Sequence, residues 1–300
     1  MFCFIGVDGG ASRTRLVLID ADANVLAEAD EQACNPNSVG HERCKETLKR
    51  GLCKILQSLP GNAQISAISL SVSGIRSEMD KRDLGNWTRS QFPSVEIIVS
   101  NDVEAALSCG TEGILEGVVC ISGTGMNVFG CKNGERYHCG GLGPLLGDDG
   151  CGYSIGDEIL KSIVKANDGR GPHTILGAEV FKQLSINEVS ELIEWRYDPK
   201  RTWKDIAQFA PLVFQCSKND SVSREIISQS SQSLVTAISA VASNFHQPFP
   251  IVLVGSLWKN EELLNLVKKS LSSLFPQASI VLPRRTPEYG AALLALKYNL

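Results

Sequence analysis

The chain reads as an α/β protein built from two copies of one unit, with extra helices inserted in the second copy. Three observations predict this. Residues 4–20, FIGVDGGASRTRLVLID, run as an apolar strand, a tip of glycines and hydroxyls, and a second apolar strand. Residues 118–130, VVCISGTGMNVFG, repeat the same grammar more than a hundred positions later. Each hairpin is followed by a third strand and then by further strands alternating with helices, and the order begins again from Gly113. A chain of 300 residues suggests one large domain or two modest ones. The boundary is expected near residues 111–113, giving units of 1–112 and 113–300.

The first unit opens with short strands at 4–7, 15–20 and 25–29, the last two joined by the turn DADAN. Leu48, Leu52, Ile55, Leu56 and Leu59 recur at helical spacing within 42–59, which ends at Pro60-Gly61. The near-continuous apolar run 65–72 predicts a strand covered on both faces. A helix over 77–91 and a strand over 95–100 follow, then a short helix at 103–108.

The second unit has strands at 118–121, 127–131 and 135–138. A glycine-rich stretch, CGGLGPLLGDDGCGYSIG (139–156), interrupts it. Its apolar Leu142, Pro144, Leu145 and Leu146 argue against a flexible surface loop. Helices are expected at 155–165, 176–184, 189–193, 203–214 and 222–245. A strand at 251–254, a helix at 263–274 and a strand at 280–282 follow. The closing helix, 287–296, carries Gly290, Ala291, Ala292 and Ala295, small enough for backbones to approach closely, and is expected to pack back toward the first lobe.

Composition excludes several classes. Twenty-nine basic against 33 acidic residues give a net charge of −4, and no basic stripe with aromatics is present, so nucleic acid is not expected as a partner. No apolar run approaches the roughly eighteen residues of a membrane span. Asp8 interrupts the only candidate signal segment. The ten cysteines are scattered, without a zinc or redox spacing, as expected of a cytoplasmic, thiol-rich protein.

A glycine tip on a hairpin has a simple explanation, a turn that needs positive φ. Two such tips placed equivalently in a duplicated fold suggest more. Facing each other across a cleft, each would present backbone N–H groups unhindered by Cβ and a hydroxyl, Ser12 on one and Thr124 on the other. Backbone nests of this kind bind anions, phosphate above all. Hydrogen bonds to a charged partner contribute about 1.5–3 kcal/mol each, so a handful could hold a polyphosphate without a lysine clamp. No P-loop pattern exists, and GLGPLLG at 141–147 fits no dinucleotide fingerprint.

Asp8-Gly9-Gly10, Ser122-Gly123-Thr124-Gly125 and Val254-Gly255-Ser256 resemble the phosphate 1, phosphate 2 and adenosine motifs of the actin/Hsp70/sugar-kinase superfamily. Within it, the resemblance is closest to the amino-sugar kinases that act on N-acetylglucosamine. These belong with the benzoyl-CoA-reductase and dehydratase activator ATPases. The similar stretches are GVDGGASRTR, CNPNSVG, LSVSG, NDVEAAL, ISGTGMN, CGGLGPLLGDDG, VGSLW and PEYGAALLA, in order over nearly the whole chain. The resemblance implies a duplicated ribonuclease H-like (actin-like ATPase) fold, two lobes around an ATP cleft.

It also implies roles. Asp102, just after the strand 95–100, matches the base that takes the proton from the sugar hydroxyl; a strand-end carboxylate suits the task, although the same residue could merely cap its helix. Asp8 would hold Mg²⁺, through water, unless it only satisfies its own turn. Ser12 and Thr124 would carry phosphate oxygens of ATP, with Gly9, Gly10, Gly123 and Gly125 supplying backbone. Arg13 adds charge or is a solvated strand-edge residue. Gly255 and Ser256 would flank the adenine and ribose. Asn35, Asn127, Gly141, Leu142, Gly143 and Asp148 match the hexosamine contacts, and Asn and Asp suit a ring of hydroxyls. Leu142 departs from the animal enzymes, which carry tryptophan there. Ala11 stands where a third glycine is common, tolerable only at negative φ, and Met126 where serine is frequent.

The implied reaction is transfer of the ATP γ-phosphate to an amino sugar, giving the 6-phosphate and ADP. The acceptors left open are N-acetylglucosamine, glucosamine and N-acetylmuramic acid. A second class is the ATPase activator of a CoA-linked dehydratase, which uses cysteines for an iron–sulfur cluster; the sugar-type Asn35 and CGGLGPLLGDDG speak against it. A third, a non-catalytic sugar or ATP sensor, is disfavoured by the presence of both Asp8 and Asp102. A homodimer is expected by analogy alone.

Overall fold

The computed structural model describes residues 1–10, 12–75 and 77–298, so the expectation for Ala11 lies outside the described residues. The first sheet is built from β1 (Phe2–Gly9), β2 (Arg13–Asp20) and β3 (Val25–Gln32). A short α1 (Pro36–Val39) and the long α2 (His41–Leu56) lead to β4 (Gln64–Val72). Then come α3 (Glu78–Gln91), β5 (Glu96–Ser100) and α4 (Asp102–Gly110). The second sheet begins with β6 (Gly117–Ser122), β7 (Met126–Lys132) and β8 (Glu135–Gly140). The inserted helices are α5 (Gly152–Asn167), α6 (Leu176–Leu184), α7 (Val189–Tyr197), α8 (Trp203–Ala207), α9 (Ala210–Cys216) and α10 (Ser221–Ala242). The chain closes with β9 (Phe249–Val254), a 3₁₀ turn at Ser256–Lys259, α11 (Glu261–Leu274), β10 (Ala278–Val281) and α12 (Pro287–Tyr298).

The duplication is explicit in the sheets. The first five-stranded sheet has the order β3-β2-β1-β4-β5, and the second β10-β9-β6-β7-β8. Read from its other edge, the second repeats the first strand for strand. In the first sheet β1–β2 and β2–β3 are antiparallel hairpins, while β1–β4 and β4–β5 are parallel. Parallel neighbours need a crossover, which α2 and α3 supply. The chain forms two compact units, one of Met1–Val119, Cys131–Glu135 and Val281–Leu300, the other of Cys120–Gly130 and Arg136–Ile280.

In the first unit, β1 is buried on both faces, which explains its unbroken apolar run. Cys3, Ile5 and Val7 meet Leu48, Leu52 and Ile55 of α2 and Leu84 of α3. Phe4, on the other face, meets Ala292, Leu293 and Leu296 of α12. Helix α12 sits unusually close to its neighbours, because two glycines remove the side chains that would hold it off. A Cβ on Gly6 of β1 would stand 2.1 Å from the Glu288 carbonyl oxygen and 2.2 Å from the Ala292 nitrogen. A Cβ on Gly290 of α12 would stand 2.1 Å from the Ala105 carbonyl of α4. The Ser108 hydroxyl donates to the Gly290 carbonyl at 2.7 Å, and the Tyr289 hydroxyl to the Ala23 carbonyl at 2.9 Å.

In the second unit, the single helix expected over 203–214 is two, α8 and α9. Pro211 stands in the first turn of α9, where its missing N–H costs nothing, and its ring disfavours helix through the residues before it. Helix α10 is pinned at its start by buried Asp220, which accepts from the Ser223 N–H at 2.9 Å and the Thr174 hydroxyl at 2.9 Å. Helix α5 starts three residues before its expected position. Its first amides turn back onto the glycine tip, as described below.

Gly6→Ala and Gly290→Ala should each lose about 3 kcal/mol or more of unfolding free energy, since rigid backbone stands where the methyl must go. Gly61→Ala, with nothing within 4 Å, should change stability by less than about 1 kcal/mol. Urea unfolding of the three variants decides; a mild Gly6→Ala would contradict the packing described.

Candidate active site

Strand register builds a polar row across the first sheet. Asp8 of β1 lies opposite Arg15 of β2, which lies opposite Asp30 of β3. On its other side Asp8 lies opposite Ser71 of β4, itself opposite Ser100 of β5. Residues directly opposite share a face, so five polar side chains form one line near the ends of the parallel strands. The Ser71 and Ser100 hydroxyls hydrogen-bond at 2.7 Å. Arg15 lies 3.7 Å from Glu288 of α12 and 3.9 Å from Asp30. Glu288 is 6% exposed, and its Oε2 is buried with no hydrogen-bond partner among the described residues.

Asp8 is therefore crowded. Burial, then the Asp102 carboxylate, then Glu288 push its carboxyl up to about 7, with Arg15 pulling partly back. Asp102 stands at the first position of α4, two residues beyond Ser100. The helix cap is not Asp102 but its neighbour: the Asn101 side chain accepts from the Glu104 N–H at 3.2 Å, and the Glu104 carboxylate accepts from the Asn101 N–H at 3.1 Å. That capping box corrects the idea that Asp102 serves to start its helix, and leaves capping to Asn101 and Glu104.

The first glycine tip is tied to Asn35. Gly10 N–H donates to the Arg13 carbonyl at 2.9 Å, and Cys34 N–H donates to the Gly10 carbonyl at 3.1 Å. Ser73 N–H donates to the Gly9 carbonyl at 2.8 Å, and the Asn35 amide donates to the Ser73 hydroxyl at 3.3 Å. The Asn35 side-chain oxygen caps α1 by accepting from the Asn37 N–H at 2.9 Å. Gly74, at φ +87°, makes room for it, since a Cβ there would stand 2.3 Å from that oxygen. Ser12 and Arg13 are exposed at the start of β2.

The second tip is held by the start of α5. Gly152 N–H donates to the Gly123 carbonyl at 2.7 Å and Tyr153 N–H to the Thr124 carbonyl at 3.0 Å. Gly123 N–H donates within the tip, to the Gly125 carbonyl at 2.9 Å. So Gly10 and Gly123 keep their amides inside their own tips; what each glycine contributes is the missing side chain. Thr124 is exposed. Gly125 makes room for Asp148, whose carboxylate would lie 2.6 Å from a Cβ there.

Asp148 organises the loop after β8. It is 5% exposed and accepts from the Leu142 N–H at 3.0 Å and the Gly143 N–H at 3.2 Å. Burial raises its pKa, opposed by the amides that point at it. Gly141 at φ +68° packs on the Asn127 side chain, 2.7 Å from a would-be Cβ. Leu142, Leu145 and Leu146 are 58%, 71% and 79% exposed, so these apolar residues are not what argues against a flexible loop here. Carboxylate-to-amide hydrogen bonds hold it instead. At the end of β9, Gly255 at φ +122° lets the chain cross β6, where a Cβ would meet the Ser122 carbonyl at 2.1 Å. Trp258 fastens the turn that follows, its indole N–H donating to the Cys120 carbonyl at 3.2 Å. Ser256 is exposed.

With this geometry in hand, comparison with known proteins is decisive at the family level. Residues 5–295 match the BadF/BadG/BcrA/BcrD ATPase family. The chain belongs to that family. It is 34% identical to the N-acetyl-D-glucosamine kinase of Dictyostelium discoideum over 98% of this chain and 97% of that one. It is 32% identical to an N-acetylmuramic acid/N-acetylglucosamine kinase of Clostridium acetobutylicum, over 97% of both. Among solved structures, a candidate N-acetylglucosamine kinase from Chromobacterium violaceum shares the fold, with a TM-score of 0.77 at 24% identity over 98% of each chain.

As a member of this ATPase family, the chain carries its expected residues in two sets. In the first unit the fold brings together Asp8, Gly9, Gly10, Asn35 and Asp102. In the second it brings together Gly123, Gly125, Asn127, Gly141, Gly143 and Asp148, with Gly255 alongside Ser122. Sequence reading missed Arg15 and Glu288. A signal for Arg15 was available: in an antiparallel hairpin centred on the tip, it is the basic residue that register sets against Asp8. Glu288 had only its place in PEYGAALLA. Among the described residues, no group of three or more His, Cys, Asp or Glu side chains is arranged to enclose a metal ion.

The crowding of Asp8 has a measurable consequence. In the fold its carboxyl holds a proton up to about 7, whereas the unfolded chain releases it near 3.8. Ionisation therefore costs the native state stability as pH rises through this window. Asp8→Asn should be more stable than the metal-free wild type at pH 8, with the gap wider by about 2–3 kcal/mol than at pH 5. Denaturant unfolding at the two pH values checks this; a gap independent of pH would mean Asp8 is not crowded.

Proposed function

We propose that this chain is an ATP-dependent amino-sugar kinase that phosphorylates N-acetyl-D-glucosamine at the 6-hydroxyl, giving N-acetylglucosamine 6-phosphate and ADP. The observation that carries the reading is the carboxylate pair Asp8 and Asp102 on one polar face, in a chain whose full-length relatives are amino-sugar kinases. Residues 1–112 supply the base, the metal carboxylate, Asn35 and the first phosphate tip. Residues 113–300 supply the second tip, the sugar loop and the adenosine turn.

Asp102 is the general base that takes the proton of the sugar hydroxyl as its oxygen attacks the γ-phosphorus. Its place at the first position of α4, directly after the strand end, suits it to this. Ser12, Arg13 and Thr124 are exposed at the tips and bind phosphate oxygens, while the glycines let the nucleotide approach the backbone. Ser256 and Gly255 flank the adenosine. Asn35 and Asn127 read sugar hydroxyls, and Asp148 holds the loop of Gly141, Leu142 and Gly143 in shape by its amide bonds.

The residues fit Mg²⁺. Asp8 is crowded by two further carboxylates against one arginine, an excess of negative charge that a divalent ion relieves, and Mg²⁺ needs only one or two protein carboxylates. When bound, Mg²⁺ neutralises charge on the β- and γ-phosphates. A cytoplasmic setting agrees with cysteines that are all free and with the absence of a described helix long and apolar enough to cross a membrane. A homodimer rests on family analogy alone. N-acetylmuramic acid is the second acceptor to consider, because the Clostridium relative acts on both sugars. The activator reading is less favoured because the full-length relatives at 34% and 32% identity are amino-sugar kinases.

ADP release with Mg²⁺-ATP should depend on N-acetylglucosamine in a panel that includes N-acetylmuramic acid, glucosamine, N-acetylmannosamine and glucose. Asp102→Asn should lower kcat by about 10²–10⁴-fold with little change in the KM for either substrate. ADP release indifferent to every sugar would overturn the kinase reading, and an active Asp102→Asn would overturn the base.

A further inference from the structure

Two buried thiols in the first unit stand apart from the machinery described so far. Cys34 follows β3 and immediately precedes Asn35. Cys44 lies in the first turn of α2. Their sulfurs are 2.8 Å apart, inside the roughly 3.5–4.0 Å at which even carbon atoms make their best contact. Closing this gap to a disulfide needs about 0.8 Å of further approach, to an S–S bond of about 2.05 Å. Both residues are otherwise fully enclosed, at 0% and 2% exposure, yet Cys44 lines a cavity of about 310 Å³ with Pro36, His41, Lys45, Ile75 and Leu84. A small oxidant has room to reach one sulfur and not the other.

We propose that Cys34 and Cys44 are a reversible dithiol–disulfide modification site that weakens the sugar side of the kinase when oxidised. The first half stands on the sulfur geometry; the second rests on the function proposed above. The two thiols are chemically unequal. The sulfur–sulfur contact lowers the Cys44 pKa against the opposing effect of burial, with Lys45 lowering it further, while Cys34 is raised. A place in the first turn of a helix of sixteen residues favours a thiolate as well. Cys44, the thiol that lines the cavity and lies in the first turn of α2, is the nucleophile, and enclosed Cys34 the resolving thiol.

With a hydroperoxide as oxidant, the Cys44 thiolate attacks the near peroxide oxygen. The O–O bond breaks, and Cys44 becomes a sulfenic acid with release of hydroxide or water. Cys34 then attacks that sulfur; the S–S bond forms, the S–O bond breaks and a second water leaves. In sum two thiols and one hydrogen peroxide give one disulfide and two waters. A dithiol reductant reverses it by exchange.

The coupling to function is through the backbone. Cys34 N–H holds the Gly10 carbonyl at 3.1 Å, a Cβ on Gly9 would touch the Cys34 sulfur at 3.5 Å, and the next residue is Asn35. Pulling the sulfurs together shifts this strand-end segment by a fraction of an ångström, and displacements of that order at a positioning residue change rates by about tenfold.

The test uses the full chain carrying Cys53→Ser, which removes the exposed thiol. It is treated with stoichiometric hydrogen peroxide, denatured, alkylated and mapped by peptide mass. The expected result is a linked peptide pair containing residues 34 and 44, lost in Cys44→Ser and in Cys34→Ser and reversed by dithiothreitol. In the same samples the KM for N-acetylglucosamine should rise about tenfold on oxidation and recover on reduction. Recovery of both cysteines as alkylated thiols overturns the modification site. Linkage with an unchanged KM overturns its control of sugar binding. A chain that phosphorylates no sugar even when reduced overturns the kinase reading instead, and the peptide map still decides the dithiol.

Discussion

The first unit depends on one contact, the near-touching of α12 with β1 and α4 at Gly6 and Gly290. No side chain separates these backbones, and the Ala105 and Glu288 carbonyls occupy the space a methyl would need. Interiors packed to crystal density do not absorb such a change by flexing. The contact also explains why α12 is apolar around its whole girth: its neighbours are sheet on one side and helix on another. The last helix of the chain thus covers the sheet that its first residues begin.

The same contact brings a carboxylate where hydrophobic packing would be safer. Glu288 sits at the start of α12, beside Arg15 and within electrostatic reach of Asp8. Burying charges costs more than their attraction usually returns, unless each is paired and hydrogen-bonded. Here Asp102 and Glu288 crowd Asp8 while Arg15, which also faces Asp30, pulls back only in part, and one glutamate oxygen has no partner among the described residues. A fold selected for stability alone would not keep this arrangement. A site that takes up positive charge during its work would, and perturbed carboxylates beside a glycine tip point to such a site.

Much of this was legible in the sequence. The repeated strand–tip–strand grammar of 4–20 and 118–130 announced the duplication, which the matching sheet orders display. Asp8 and Asp102 were found through the resemblance of VDGG and NDVEAAL to family motifs, with the strand-end place of Asp102 in support. What escaped has physical reasons. The break between α8 and α9 hides in a helical period that Pro211 overrides. Arg15 could have been read from the hairpin register against Asp8, but Glu288 meets it across a sequence separation of more than 270 residues, which no local pattern records. The leucines at 142, 145 and 146 read as an argument against a surface loop, yet they are exposed and the loop is held by Asp148 and its amides. Cys34 and Cys44 have neither a two-residue spacing nor a shared strand, so their approach appears only in three dimensions.

The account stands or falls on where the phosphate goes. The most direct measurement is a proton–phosphorus correlation spectrum of the product formed from N-acetylglucosamine and Mg²⁺-ATP. The account predicts a single phosphate ester coupled to the two protons on carbon 6. Coupling to the anomeric proton, or inorganic phosphate as the only new phosphorus signal, would contradict it.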